Sequence, residues 1–178
     1  MIIVEGPDNS GKSTLVARLS DEAKLLAISN KRKPKSKDEA FDFLNMAIPL
    51  SKKFPTIFDR WSPISETVYG PLIRGTSIFT PHDIDVAMAA PILARLKPIV
   101  IYCRPSDSII ESTICHRQQM PGVVENLYEL IQAYDRIIEH WSRTPTNSYP
   151  TVRYDFQDPQ AYISILSRVH LHVKEQFQ

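Results

Sequence analysis

Glycine is scarce in this sequence. There are five in 178 residues, and two of them, Gly6 and Gly11, fall within the first eleven. Glycine serves where the backbone must turn unusually or approach a neighbour closely, so that need is concentrated near the start. Cysteine is scarcer still, with two residues. This excludes a disulfide framework and points to a reducing compartment, the cytoplasm. No apolar run approaches the ~20 residues of a membrane helix. The opening MIIVEGPDN lacks the basic segment and long apolar stretch of a secretion signal. Neither charge predominates: 21 Lys+Arg against 20 Asp+Glu leave a net +1. No chain-wide field therefore draws in nucleic acid or membrane. What remains is a globular chain, 43% hydrophobic and 23% charged. Its length fits one domain over residues 1–178.

Short apolar runs alternate with helical patterns. Runs at 1–5, 25–28, 56–58 (ending at Asp59), 99–103 and 152–154 read as strands. The run at 99–103 is continuously apolar, suited to burial on both faces. Residues 12–19 and 38–52 read as helices, the latter with Phe41, Leu44 and Ile48 on one face. Ser62-Pro63, Thr80-Pro81 and Asp158-Pro159 each pair a capping residue with a proline at the first helical position. Pro91 should kink or break the helix that starts near Thr80. A stripe of Leu127, Leu130, Ile131, Tyr134, Ile138 and Trp141 marks a helix over 124–141. Tyr162, Leu166, Val169 and Val173 mark the last one. Both stripes read as core-facing. Strands alternating with helices predict an α/β three-layer sandwich with a mainly five-stranded parallel sheet. Ligands in such folds bind at the carboxyl ends of the strands. That rule points to residues 5–14, to Asp59-Arg60 and to Arg104.

The segment Gly6-Pro7-Asp8-Asn9-Ser10-Gly11-Lys12-Ser13 fits G-x-x-x-x-G-K-[ST], the phosphate-binding P-loop. The first glycine lets the chain turn off its strand. The second lets backbone N–H groups crowd round a phosphate, at which the following helix points its positive end. Gly6, Asn9, Ser10, Gly11, Lys12, Ser13 and Thr14 are the expected ATP-binding residues. Lys12 would reach the outer phosphates, and the Ser13 hydroxyl would hold Mg²⁺. Phosphoryl transfer is chiefly positioning and charge neutralisation.

The run from Val4 to Thr14 resembles the opening of thymidylate kinases, E-G-x-D-x-x-G-K-S-T. Phe58-Asp59-Arg60-Trp61 resembles the D-R-[YFW] motif ending their third strand. More loosely, it is similar to the corresponding motif of deoxynucleoside kinases. Ser65, Glu66 and Tyr69 follow on a predicted helix. The run from Ile99 to Pro105, a helix ending near Arg117 and a turn over 118–122 resemble the strand, helix and lid of that superfamily. Order and spacing agree over most of the chain. The R-E-P segment of thymidylate kinases is absent. Lys31-Arg32-Lys33-Pro34-Lys35-Ser36-Lys37 stands in its place, and the lid, around 117–123, is short.

The resemblance implies a P-loop fold of the nucleotide kinase type. It also implies ATP-dependent transfer to a (deoxy)nucleoside monophosphate, giving the diphosphate. Lys12, Asp59, Arg60 and Arg117 would be catalytic, and Ser13 and Asp59 would serve the metal. Asp8, Arg60, Trp61, Glu66, Tyr69 and Arg74 would bind the acceptor. Asp8 would meet its sugar hydroxyl and Arg74 would lie near its base. A monophosphate acceptor needs no strong base, whereas a sugar hydroxyl would require Asp59 or Glu5 to take a proton.

Plain structural roles compete at several positions. Asp59-Arg60 could be a strand-end ion pair, and Arg117 a cation at a helix C-terminus. Arg104 could bracket the base or sit solvated at its strand end. Trp61 and Tyr69 could simply pack, and Glu66 could be a surface residue. Residues 31–37 hold five cations in seven positions, either a solvated loop or a contact for polyphosphate or DNA. Cys103, Cys115 and the five His form no metal-ligand grouping, and no zinc is expected. His170 and His172 should point to different faces of their helix.

Three other functions compete: a deoxynucleoside kinase, a kinase of a hydroxyl group on a modified base in DNA, and an NTP-driven switch or motor. The last lacks an Asp at the end of the 99–103 strand. A homodimer through the helix from Thr80 is an expectation from analogy.

Overall fold

The structure is a computed structural model and describes residues 1–29, 34–80, 82–83, 91–114, 119–143 and 149–177. Strand β1, Ile2–Glu5, is buried at every position. Side chains alternate across a strand, so Ile3 faces one layer of the core while Ile2 and Val4 face the other. Burying each such side chain contributes about 1.5–3 kcal/mol. Four more strands join it: β2 (Leu26–Ser29), β3 (Thr56–Asp59), β4 (Ile99–Cys103) and β5 (Thr151–Tyr154). All pairings are parallel, in the order β2-β3-β1-β4-β5. Val4 stands opposite Asp59 and Glu5 opposite Tyr102. The carboxyl ends of β1 and β3 thus lie side by side.

Helices cover both faces. Helix α1 (Lys12–Glu22) packs Leu15, Val16 and Leu19 on one face of the sheet. The final helix, Pro159–Phe177, joins it there with Tyr162, Ile165 and Val169. The other face carries α2 (Lys37–Ser51), α3 (Ser62–Arg74), α4 (Pro91–Leu96) and the helix Leu127–Arg143. Between α4 and Leu127–Arg143 in the chain lies the short α5 (Asp107–Thr113). We number Leu127–Arg143 as α6 and Pro159–Phe177 as α7. The result is the α/β three-layer sandwich with a five-stranded parallel sheet that the alternation predicts.

Several boundaries differ from the expected ones. Helix α3 begins at Ser62, with Trp61 as its cap and Pro63 second. The Trp61 N–H is drawn onto the Glu5 carboxylate at 2.5 Å, which starts the helix one residue early. Residues 121–126 form turns before α6, with Gly122 at φ 87°. In α7 the buried face runs through Tyr162, Ile165, Val169 and His172, leaving Leu166 and Val173 at its margin. His170 is exposed and His172 buried, on different faces as expected. Asp158 caps α7 by accepting the Gln160 N–H at 2.9 Å. Ser36 caps α2 through the Glu39 N–H at 3.2 Å. Thr80 and Asp83 cap each other reciprocally, Thr80 N–H to Asp83 and Asp83 N–H to Thr80. Pro81 and residues 84–90 lie outside the described residues, so the expected kink before Pro91 does too. Among the described residues the helix after β4 ends at Thr113, short of the expected end near Arg117.

Candidate active site

The chain leaves β1 at Gly6, whose φ of +147° suits glycine. Asn9 and Gly11 also adopt positive φ, 60° and 82°. These turns wrap the loop round its own interior, where Ser10 Oγ donates to the Pro7 carbonyl at 2.8 Å. Gly11 caps α1 without a side-chain hydrogen bond, so among the described residues the first-turn N–H groups of that helix have no side-chain cap. Such a helix end attracts anions. Lys12 is folded back on the loop, its Nζ donating to the Pro7 carbonyl and to Ser10 Oγ. Burial, then the nearby Arg60 charge, pull its pKa down to about 8.

Asp8, Asn9, Gly11, Lys12, Ser13, Thr14, Ser29, Asp59 and Arg60 line a cleft of about 440 Å³ at the carboxyl ends of β1, β2 and β3. Ser13 Oγ donates to Asp59 Oδ2 across it at 3.2 Å. A hydroxyl and a carboxylate are oxygen donors of the kind Mg²⁺ takes, alongside waters and substrate phosphates. The residues present therefore fit that ion. Among the described residues no cluster of three or more His, Cys, Asp or Glu is placed to hold a metal.

Arg60 follows β3 in a left-handed conformation, φ 72°, with its N–H on the Val4 carbonyl at 3.0 Å. For a residue with a side chain this costs on the order of 1–2 kcal/mol. Its guanidinium donates to Tyr134 Oη at 2.7 Å, Asp8 Oδ1 at 2.5 Å and Tyr69 Oη at 3.3 Å. It also lies 5.0 Å from the centre of the Tyr69 ring. Beneath it sits Glu5, fully buried. Glu5 Oε1 accepts the Trp61 N–H and the Ser65 hydroxyl, at 2.5 and 2.9 Å, and Oε2 accepts the Tyr134 hydroxyl at 3.2 Å. Burial raises the Glu5 pKa against the opposing pull of Arg60. Burial likewise raises Tyr69 and Tyr134, which keeps both phenols protonated.

The remaining candidates separate. Trp61 is wholly buried, edge-on to Phe58 at 5.2 Å between ring centres. Its side chain therefore belongs to the core rather than to an acceptor pocket. Glu66 is buried rather than on the surface, paired with the Arg74 guanidinium and accepting the Ile78 N–H at 3.2 Å. Arg104 is not solvated: it grips Asp135 through Nε and an NH₂ group, at 3.0 and 3.1 Å, and Asp107 at 2.5 Å. Arg117, Lys31, Arg32 and Lys33 lie outside the described residues, as does the first part of the expected lid. Gln119, just beyond, donates to Asn9 Oδ1 at 3.5 Å. Lys37 is tied to Asp83 at 2.5 Å.

Sequence reasoning missed Ser29 in the cleft, Phe156 and the polar role of Tyr134. The Phe156 ring stands 3.0 Å from where a Cβ on Gly11 would be. Tyr134 sits in a helical stripe read as core, which its ring is. Only its hydroxyl, which needs a partner when buried, hinted at more.

No family model matches the chain, and no curated protein matches it. Solved structures do. The YorR protein from Bacillus subtilis, in complex with phosphorylated GDP, is 21% identical with a TM-score of 0.70, the match covering 99% of this chain and 98% of that one. Deoxyadenosine kinase from M. mycoides, with dCMP and dCDP bound as products, is 18% identical with a TM-score of 0.54, covering 94% and 96%. The same kinase with dATP bound is 17% identical with a TM-score of 0.54, covering 94% and 98%. At these identities the likeness is one of fold, the P-loop nucleotide kinase fold.

Proposed function

We infer that this chain transfers a phosphoryl group from ATP to a (deoxy)nucleoside monophosphate, in the manner of thymidylate kinases. One observation carries the reading. The cleft joins a P-loop to a guanidinium, Arg60, while each nearby carboxylate is engaged: Glu5 by three donors, Asp8 by Arg60, Asp59 by Ser13. Among the described cleft residues no carboxylate stands unpartnered to serve as a base, though Asp8 and Asp59 each accept through only one oxygen. A phosphate acceptor needs no such base, because its oxygen is already nucleophilic, and it does need a cation.

The residue roles follow. The uncapped start of α1 and the loop amides bind the donor phosphates, and Lys12 exchanges the Pro7 carbonyl for them. Ser13 and Asp59 hold Mg²⁺, which neutralises phosphate charge when bound. Arg60, oriented by Asp8 and Tyr134, meets the acceptor phosphate. The phosphorylated GDP in YorR and the deoxynucleotides in the deoxyadenosine kinase support nucleotides as the acceptor class. Those deoxyadenosine kinase neighbours also favour a second reading, a nucleoside hydroxyl, with Asp59 or Asp8 released to serve as base.

The deciding experiment offers ATP and Mg²⁺ with deoxynucleoside monophosphates, nucleosides and an oligonucleotide, reading ADP and product mass. A nucleoside diphosphate that forms with wild type and not with Arg60→Ala supports the reading. Phosphorylation of nucleosides alone replaces it with the second.

A further inference from the structure

The last two residues of β1 pin both peptide N–H groups that flank the Arg60 α-carbon. The Val4 carbonyl accepts the Arg60 N–H at 3.0 Å, and the Glu5 carboxylate accepts the Trp61 N–H at 2.5 Å. Between them Arg60 adopts φ 72°, a conformation that residues with side chains avoid. Glu5 therefore helps to hold the main chain of Arg60 in a shape it would not choose alone.

The same carboxylate reaches the Arg60 side chain through Tyr134. A carboxylate only accepts, and a phenol has one proton to give. Tyr134 gives that proton to Glu5 Oε2 at 3.2 Å, so its oxygen lone pairs face the guanidinium, whose Nη1 donates to them at 2.7 Å. Glu5 and Tyr134 are fully buried, so water does not compete for these bonds. Asp8, by contrast, is partly exposed in the cleft and can give up Arg60 to an incoming ligand. The hold from Tyr134 and Glu5 remains when Asp8 lets go.

We propose that Glu5 is a positioning residue for Arg60: it fixes the backbone through Trp61 and aims the guanidinium into the cleft through Tyr134. This role replaces that of a base, since Glu5 is shut away from the cleft. Its effect on turnover rests on the reading that Arg60 meets the acceptor phosphate. Its effect on Arg60 itself does not.

The experiment compares wild type, Glu5→Gln, Tyr134→Phe and the double variant. Glu5→Gln keeps the shape, but in either orientation its amide sets an N–H against the Trp61 N–H or the Tyr134 hydroxyl. The first readout is the set of Arg60 guanidinium N–H resonances in the ligand-free chain. They should be separate in wild type, where four acceptors hold the group, and merge by rotation in both single variants. The second readout is steady-state kinetics with ATP and a deoxynucleoside monophosphate. The acceptor KM should rise about tenfold or more in each single variant, the usual worth of a hydrogen bond to a charged group, with the ATP KM unchanged. The double variant should be little worse than Glu5→Gln, because the two residues act in series. Thr56→Val removes the buried Ser51–Thr56 hydrogen bond at the far end of β3. It should lower stability and leave both KM values alone. Where Glu5→Gln does not fold, Tyr134→Phe decides by itself. Unchanged Arg60 resonances, additive effects, or equal rises in both KM values overturn the proposal. Should wild type phosphorylate no monophosphate, the reading of the cleft fails and the resonances alone decide the positioning role.

Discussion

A Cβ built on Gly6 would stand 2.4 Å from the carbonyl oxygen of Cys103. Cys103 ends β4, which runs parallel to β1, so the P-loop departs directly over a neighbouring strand's backbone. The obstacle is main chain and cannot rotate aside. Gly6→Ala should therefore lose about 2–4 kcal/mol from the contact and the unfavourable φ together. Gly75 is the control, with φ +72° and nothing within 4 Å of its added Cβ. There the substitution should cost only the torsion, on the order of 1 kcal/mol. Thermal denaturation of both variants checks the difference, and equal losses would remove Cys103 from the argument.

Asp59→Asn preserves shape and leaves a neutral oxygen facing Ser13. The fold should be unchanged. The Mg²⁺ concentration for half-maximal turnover should rise about tenfold or more, because a charged oxygen ligand is lost. An unaltered Mg²⁺ requirement would place the ion elsewhere.

Glu66 and Arg74 are largely removed from water, with side-chain exposures of 6% and 19%. Removing either partner strands the other's charge, so Arg74→Ala should cost about 3 kcal/mol. Glu66→Ala should cost at least as much, since it also leaves the Ile78 N–H without its acceptor. The double variant should lose clearly less than the sum, by about 1–3 kcal/mol. Urea unfolding of the singles and the double measures this coupling, and strict additivity would contradict it.

His172 has a folded-state pKa of about 4 against an ordinary 6.5. Between those values the unfolded chain binds the extra proton, so this group makes the fold less stable as pH falls from 6.5 towards 4. His172→Asn should flatten that part of the stability profile. Glu5, with its raised pKa, contributes the opposite slope above about pH 4.5, so the difference between wild type and variant is the quantity to read. Parallel profiles would mean that His172 keeps an ordinary pKa when folded.

Much of the fold was legible because its determinants are local. The apolar runs that became β1, β3 and β4 show in the sequence, as do the stripe of α6 and the Asp158-Pro159 start of α7. The start of α3 was misplaced by one residue because Trp61 answers to Glu5, 56 residues away in the chain. The face of α7 was misread because His172 takes a buried place that hydrophobicity alone assigns to Val173. In the site, the loop from Gly6 to Thr14 and the Asp59-Arg60 step were legible as strand-end features. Packing was one of the two readings open for Trp61, whereas Ser29 in the cleft and Arg104 locked to Asp135 were not legible.

The sequence by itself determined where the backbone must bend and what chemistry stands there. Two glycines, a lysine and a serine at fixed spacing specify a tight loop between strand and helix, the turn in which phosphate binding is proposed, because that geometry is built from residues adjacent in the chain. Only the tertiary structure decided which side chains those groups meet. Arg60 takes its partners from Asp8, Tyr69 and Tyr134, and Glu5 takes its own from Trp61, Ser65 and Tyr134. Such choices depend on how α3 and α6 pack across the sheet. A buried charge or hydroxyl must find a partner, but spacing along the chain does not say which one packing will bring within reach.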